Sequence, residues 1–382
     1  MKMRNFTYTL VALILLTSNG LHAWSEHVQM TRHALGDVEK YSRMKVKPEN
    51  FAAVLPALGY TSELELLEDL RIHKSFRFAF KAGEKIGTPI SALEILSVYS
   101  DEADWQMDMH LFDSDQYPEI WNDAFKFMGG RVGIPSQAFR HMYWSAFDWF
   151  NPLPTFRLPL SRLFQPMGAA PERAAVFVGL ARKAAQAGHS YWALRFLADG
   201  LHYLQDVSSP FHATQTPTKL FITMPFTEPA GRGIRSYVKQ VTHVVSYYHF
   251  SFEIYIGKVL TMPGLAPEAR EAFTKALAGH ETTAYEGGAG GLIVKIQRES
   301  MERSSEAARA SLAFFPPLTE PYDTVEPVKF MNEKWFADTV ARGERPSVEK
   351  TRYFKTVTEM FSHLGRAVRG YCQSEIEALQ LK

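Results

Sequence analysis

His202, Asp206 and His212 stand together in the run from Phe196 to Gln215, FLADGLHYLQDVSSPFHATQ. Leu197, Leu201 and Leu204 recur at helical spacing, so FLADGLHYLQDV predicts an apolar helix with His202 and Asp206 one turn apart on a common face. Pro210 ends that helix, and His212, just past the break, can turn back toward the same space. Imidazole and carboxylate ligands from one short segment suit zinc, which takes His at about 2.0–2.1 Å and carboxylates at about 2.0–2.2 Å. The competing reading of His202 and Asp206 is a solvated helix pair. With 13 His and 41 acidic residues, roughly one or two H-x-x-x-[DE] pairs are expected by chance. Four occur: His22/Glu26, His33/Asp37, His202/Asp206 and His249/Glu253.

Other stretches offer ligands of the same kind. His27 opens an amphipathic segment, HVQMTRHALGDV. The acidic stretch DEADWQMDMHLFDSD gathers Asp101, Asp104, Asp108, Asp113 and Asp115 around His110, a density of hard ligands that a plain solvated loop does not need. Helix caps and Asx turns are the other use of such a cluster. His249 and Glu253 fall at i and i+4 in IRSYVKQVTHVVSYYHFSFEIYIGKVL, whose Tyr, Phe and Val positions predict burial. An imidazole and a carboxylate on the core side of such a helix must be paired or hold a metal, because bare burial is costly.

The elements that would position these groups all read as helices. ENFAAVLPAL and SELELLEDLRIHKSFRFAF are helical in pattern, followed by a break at Gly83–Gly87. ALEILSVYS is an apolar run that ends in the acidic loop. PERAAVFVGLARKAAQAGHSYWALRFLADGLHYLQDV is helical, with Gly188 as a break. Three amphipathic helices follow near the C-terminus, PEAREAFTKAL, GLIVKIQRESMERSSEAARASLAFF and VEKTRYFKTVTEMFSHLGRAVRGYCQSEIEAL, with EGGAGG as a hinge. That glycine run lacks the spacing of a phosphate-binding loop. No run of strand period alternates with the helices, and the expected class is an all-α, multi-helix domain.

Length and composition agree. The 382 residues, 46% hydrophobic and 22% charged, can bury a sizeable core. A formal net charge of +1 supplies no basic field for duplex nucleic acid. Lys2 and Arg4 precede TYTLVALILL and then Leu21-His22-Ala23, the pattern of a signal peptide over residues 1–23 cut after Ala23, which predicts a secreted or periplasmic protein. Trp24 would then be the first residue of the mature chain, and its α-amino group a ligand once deprotonated. Cys372 is the sole cysteine, so no intrachain disulfide forms. Residues 24–382 are read as one domain, with an aromatic and proline-rich insertion at about 118–170 and a C-terminal helical extension at about 265–382. Apolar loops at 143–167 and 219–226 read either as core or as a rim for a lipid surface.

The candidates Trp24, His27, Asp104, His110, His202, Asp206, His212, His249 and Glu253 are all N/O ligands, enough for about three closed or nearly closed zinc sites. Here the chain resembles a known family. His27-Val-Gln-Met, Ala103-Asp104-Trp105 with His110-Leu-Phe-Asp, His202-Tyr-Leu-Gln-Asp206-Val-x-x-Pro-x-His212-Ala and His249-x-x-x-Glu253 occur in the order seen in the zinc-dependent phospholipase C and S1/P1 nuclease superfamily. The resemblance implies an all-α domain with three Zn2+ ions per chain. By that analogy Asp104, His110, His202 and Asp206 hold one zinc, and His212, His249 and Glu253 a second. The Trp24 amine and carbonyl with His27 hold a third, which Asp206 bridges to the first. Asp104 resembles the carboxylate proposed there as a general base. Three features depart from the family pattern: Trp24 and His27 are closer than usual, Asp101 lies at a more family-like distance before His110 than Asp104 does, and the stretch at about 118–170 and the residues after Glu253 have no clear counterpart in the smallest members.

Within the superfamily, Glu253 where the nucleases tend to place Asp, together with Tyr203 and Ala213 in the central run, resembles the phospholipase side. The expectation is a secreted monomer that cleaves phospholipid at a membrane or micelle surface to diacylglycerol and a phosphorylated head group. Glu26 resembles an acid that contacts choline in some relatives. A single-strand nuclease with the same metals is the runner-up, and would need aromatic stacking platforms beside the cleft. A metal-binding or adhesion protein without catalysis is the reading from a different class; in it some ligands would serve as caps or ion pairs.

Overall fold

A computed structural model describes residues 26–72, 74–81, 83–108, 140–143, 168–214, 234–284, 288–317 and 333–381. Residues 1–23, read above as a signal peptide, Trp24, His110, residues 219–226 and most of residues 118–170 lie outside the described residues.

The described chain is all-α. In order come α1 (His27–Leu35), α2 (Glu39–Arg43), α3 (Phe51–Leu58), α4 (Glu63–Asp69) and α5 (Ala92–Tyr99), then a π-helical turn (Ala103–Met107). After the insertion follow α6 (Ala170–Gln186), α7 (Ser190–Val207), α8 (Pro210–Ala213), α9 (Ile234–Thr261), α10 (Pro267–Leu277), α11 (Gly288–Phe314), α12 (Glu333–Glu344) and α13 (Val348–Leu379). Among the described residues one strand pair occurs, β1 (Lys45–Val46) antiparallel to β2 (Ile90–Ser91), with Lys45 opposite Ser91.

The axis of the molecule is α7. Every residue from Tyr191 to Val207 is buried, because α5, α6, α11 and α13 pack around it. A helix covered on all sides reads as apolar throughout, and each polar group it carries must find a partner inside. Its C-terminal end is set where the run predicts: Pro210 is the first residue of α8, where a missing N–H costs nothing. At the other end the chain breaks around Gly188, as the sequence predicts.

The core is one continuous cluster from Met30 to Leu379, so the helices after residue 265 pack into the same interior as the first ones. On α13, Tyr371 donates to the Leu197 carbonyl of α7 (3.1 Å), and Arg369 donates to the Ala34 carbonyl at the end of α1 (3.2 Å).

Three local expectations are corrected. The predicted helix SELELLEDLRIHKSFRFAF stops at Asp69. Arg71 turns left-handed (φ 53°), and beyond it Phe76 and Phe78 alternate inward, a period of two that predicts extended chain. Phe78 lies against Phe51, Trp192 and Phe196, and each buried ring of this kind contributes about 1.5–3 kcal/mol. The acidic loop begins as the π-helical turn, closed by Asp108 N–H donating to the Ala103 carbonyl (3.0 Å). Gly288–Gly291 form the first turn of α11 and not a hinge. A β-carbon at Gly290 would lie at ordinary contact, 3.4 Å from the Pro171 carbonyl oxygen at the start of α6. The three C-terminal helices match α10, α11 and α13, while α12 was not foreseen.

Candidate metal centre

His202 and Asp206 share the inward face of α7, as their spacing requires, with His202 Nε2 at 3.1 Å from Asp206 Oδ2. His202 Nδ1 donates to the Ser100 carbonyl (2.7 Å), which leaves Nε2 to face the cluster with its lone pair. The π-helical turn brings Asp104 to the same place, its Oδ1 at 3.6 Å from His202 Nε2. π-turns of this kind are frequent at functional sites, where the extra residue re-aims a side chain. Asp104, not Asp101, is the carboxylate in the cluster.

The remaining corner is filled by His141, which sequence reasoning missed. Its Nδ1 lies 2.8 Å from Asp206 Oδ2, 2.8 Å from His202 Nε2 and 3.4 Å from Asp104 Oδ1. His110, which the family resemblance implies for this position, is outside the described residues. On the other side of Asp206, His27 Nε2 sits 3.4 Å from Asp206 Oδ1 and 3.5 Å from Asp104 Oδ2. His27 Nδ1 donates to Gln205 Oε1 (2.7 Å). The Gln205 amide is fixed in turn by donating to Thr31 Oγ1 (2.7 Å), which donates to Ser100 Oγ (3.1 Å).

A second cluster adjoins the first. His212 on α8 and His249 and Glu253 on α9 converge, with His212 Nε2 at 3.0 Å and His249 Nε2 at 2.8 Å from Glu253 Oε1. The two imidazole nitrogens are 2.9 Å apart. His212 Nδ1 donates to the His141 carbonyl (2.8 Å), so one residue serves both clusters, by side chain and by backbone. Three ligand sets therefore exist among the described residues: His27/Asp104/His202, His141/His202/Asp206 and His212/His249/Glu253, each with its ligand atoms within 4.8 Å of one another. Every sequence-predicted ligand that is described belongs to one of them.

Whether these residues fit a cation can be judged from their own chemistry. His27 Nε2 and Asp206 Oδ1 are fully buried, 3.4 Å apart, and neither makes a hydrogen bond among the described residues. Native interiors rarely leave a donor or acceptor in that condition. His202 Nε2 and His141 Nδ1 likewise point at each other across 2.8 Å, with Asp104 and Asp206 beside them. Two nitrogens and two carboxylates aimed at one point suit a divalent cation. These buried His, Asp and Glu groups can hold metal.

The electrostatics agree. Burial alone would push Asp206, Asp104 and Glu253 upward, yet the facing histidines outweigh it and hold all three below the usual carboxylate range. Burial alone would lower His27, His141 and His212, yet the facing carboxylates raise them, His141 to about 10. The site thus gathers positive charge, here as protons, and metal binding exchanges protons for the ion. Burial also raises Glu26, beside His27, to about 7, with Asp101 adding to the effect and Lys258 opposing it. Asp108 behaves oppositely: Arg140 and Arg173 overcome its burial and hold its carboxyl far below the ordinary value.

No helix among the described residues is long and apolar enough to cross a membrane. No protein-family model matches the chain, and a search of curated proteins finds no match either.

Proposed function

We infer that this chain is an exported zinc phosphodiesterase of the phospholipase C and S1/P1 nuclease type, acting on phospholipid. The observation that carries the reading is the convergence of eight buried or nearly buried N/O ligands, with no thiolate, in three adjoining sets. The donor set fits zinc, and the resemblance in His202-Tyr-Leu-Gln-Asp206-Val-x-x-Pro-x-His212-Ala supports the class. Asp104, His141, His202 and Asp206 would hold one ion, His212, His249 and Glu253 a second. His27 would hold a third, with the Trp24 amine as the partner that the resemblance implies. When bound, zinc supplies a water acidified to a pKa of about 7 and positive charge for the phosphoryl oxygens.

The protein's own residues do the rest. Asp206 presents one oxygen to His27 and the other to His141 and His202, so a single carboxylate fixes the spacing of the inner ligands. Asp104 is the candidate proton acceptor, held ionised by its histidine neighbours. Of the two clusters, the outer one is reached by solvent, through His249, whose side chain is 17% exposed. A phosphodiester would enter on that side. Glu253, Tyr203 and Ala213 favour phospholipid over nucleic acid, as does the near-neutral charge.

The test is a parallel assay of the exported protein on phosphatidylcholine vesicles and single-stranded DNA, with zinc added or chelated and His202→Ala as control. Zinc-dependent release of phosphocholine that the variant lacks supports the phospholipase. Nucleotide release moves the protein to the nuclease branch. Three bound zinc ions with neither product would leave the metal centre and remove the substrate class.

A further inference from the structure

His141 is an inner histidine outside the sequence-predicted set. Its ring enters the cluster from residues 140–143, of which Arg140 and His141 are helical. His202 rides on α7, and His27 on α1. Behind the His141 ring lies Asp108, at the end of the π-helical turn.

Asp108 is buried and faces two consecutive residues at once. Its Oδ1 accepts from Arg140 Nη1 at 2.6 Å, and its Oδ2 lies 3.3 Å from His141 Nε2. The Tyr203 hydroxyl, from α7, donates to the same Oδ2 at 2.9 Å. Arg173 on α6 adds a second guanidinium, with Nη2 at 3.6 Å from Oδ1 and Nη1 donating to the Leu70 carbonyl at 2.7 Å. Arg140 also donates through Nη2 to the Arg71 carbonyl. The carboxylate is therefore tied to α6, to α7 and to the chain after α4, and it faces the rear nitrogen of His141 while Nδ1 faces the cluster.

We propose that Asp108 is the positioning residue for His141: it holds the Arg140 side chain, backs the His141 ring and so seats that imidazole as an inner metal ligand. The proposal rests on the metal-centre reading above. Side chains that orient a metal-bound imidazole from behind typically set metal affinity by about 10–100-fold. Asp108 also holds the neighbouring Arg140 side chain.

The experiment uses the full chain, with zinc binding measured by competition with a chromogenic chelator and cobalt(II) as a spectroscopic probe of the inner ligands. The native protein binds about three ions. Asp108→Asn should bind one inner ion about 10–100-fold more weakly, with an altered cobalt absorption band, while the His212/His249/Glu253 ion keeps its affinity. Asp108→Glu should recover part of the loss. Tyr203→Phe, which removes the hydrogen bond to Asp108 and the one accepted from Arg173, serves if the Asn variant fails to fold, and should move the same ion by a smaller factor. Native affinity and an unchanged cobalt band in a folded variant overturn the proposal. So does equal weakening of all ions, which marks a merely structural role. A native chain that binds no zinc removes the metal-centre reading itself, and is told apart because the native sample alone reports it.

Discussion

The two halves of the candidate metal centre are built from the same residue types but not in the same way. The inner half draws His27, Asp104, His141, His202 and Asp206 from four separate stretches, all of them at most 1% exposed. Its histidines are anchored from behind by Gln205, by the Ser100 carbonyl and by Asp108. The outer half is local: His249 and Glu253 are one turn apart on α9, His212 joins from α8, and solvent reaches His249. The difference teaches a division of labour. A cation in the inner half ties α1, α7, the π-helical turn and segment 140–143 together and becomes part of the folding energy. A cation in the outer half would be held by fewer elements and, under the proposed function, would be the one a substrate approaches.

The largest effect should come from Asp206→Asn set against Glu253→Gln. Asp206 faces His27, His141 and His202 together. Removing its charge should lose two ions and cost about 3–5 kcal/mol in urea unfolding, the scale of a buried ionic cluster left without one partner. Glu253→Gln should lose one ion and abolish activity, yet cost about 1–2 kcal/mol, because His249 retains access to water. Metal counts by elemental analysis and unfolding curves decide it. Equal costs for the two variants would erase the distinction between a structural and a working half.

How far this arrangement was legible in the sequence follows the same division. His202 with Asp206, and His249 with Glu253, are visible because helical spacing alone puts each pair on one face. His212 is visible because Pro210 stops the helix just before it. His141 is not visible, since its ring is placed by Asp108, Arg140 and the π-helical turn, contacts that no local period records. Gln205 was also missed, although a signal existed. In a helix that is apolar on every side, a polar residue must be partnered inside, and Gln205 is partnered by His27 and Thr31. The end of α4 was misread because the apolar positions of ELLEDL continue into FRFAF without an obvious breaker. The change from helical to alternating period at Phe76 and Phe78 was the available clue.

A smaller effect tests the inner half without touching any ligand. Gly168 has φ +123°, and a β-carbon there would overlap the Met142 carbonyl. Ala170 N–H also donates to that carbonyl (3.3 Å), and Tyr143 N–H donates to the His212 carbonyl (3.1 Å). Gly168→Ala should therefore push segment 140–143 out of register. The expected outcome is a destabilisation on the order of 2 kcal/mol, from left-handed strain and overlap. Inner-site zinc affinity, read by chelator competition, should fall more than outer-site affinity. Unchanged inner affinity in the folded variant would mean that the segment adjusts freely, and that Asp108 alone seats His141.

The smallest effect sharpens the comparison by inverting it. In the site, His27, His141 and His212 face carboxylates and are raised, whereas His363 on α13 lies between Arg303 and Arg366 and is lowered to about 4, by burial first and then by both guanidiniums. Glu299, 3.5 Å from its Nδ1, does not reverse this. Between pH 4 and 6.5 the unfolded chain binds a proton at this position that the folded chain refuses. This contribution to stability is therefore complete above about pH 6.5 and is lost as pH falls toward 4. Its size, discounted for partial exposure to solvent, is on the order of 1 kcal/mol. His363→Gln should flatten that part of the stability curve and leave zinc content unchanged, as measured by urea unfolding at stepped pH. A slope that persists unaltered in the variant would assign the acid sensitivity to other groups, and would show that two arginines do not invert the behaviour that carboxylates impose on the site histidines.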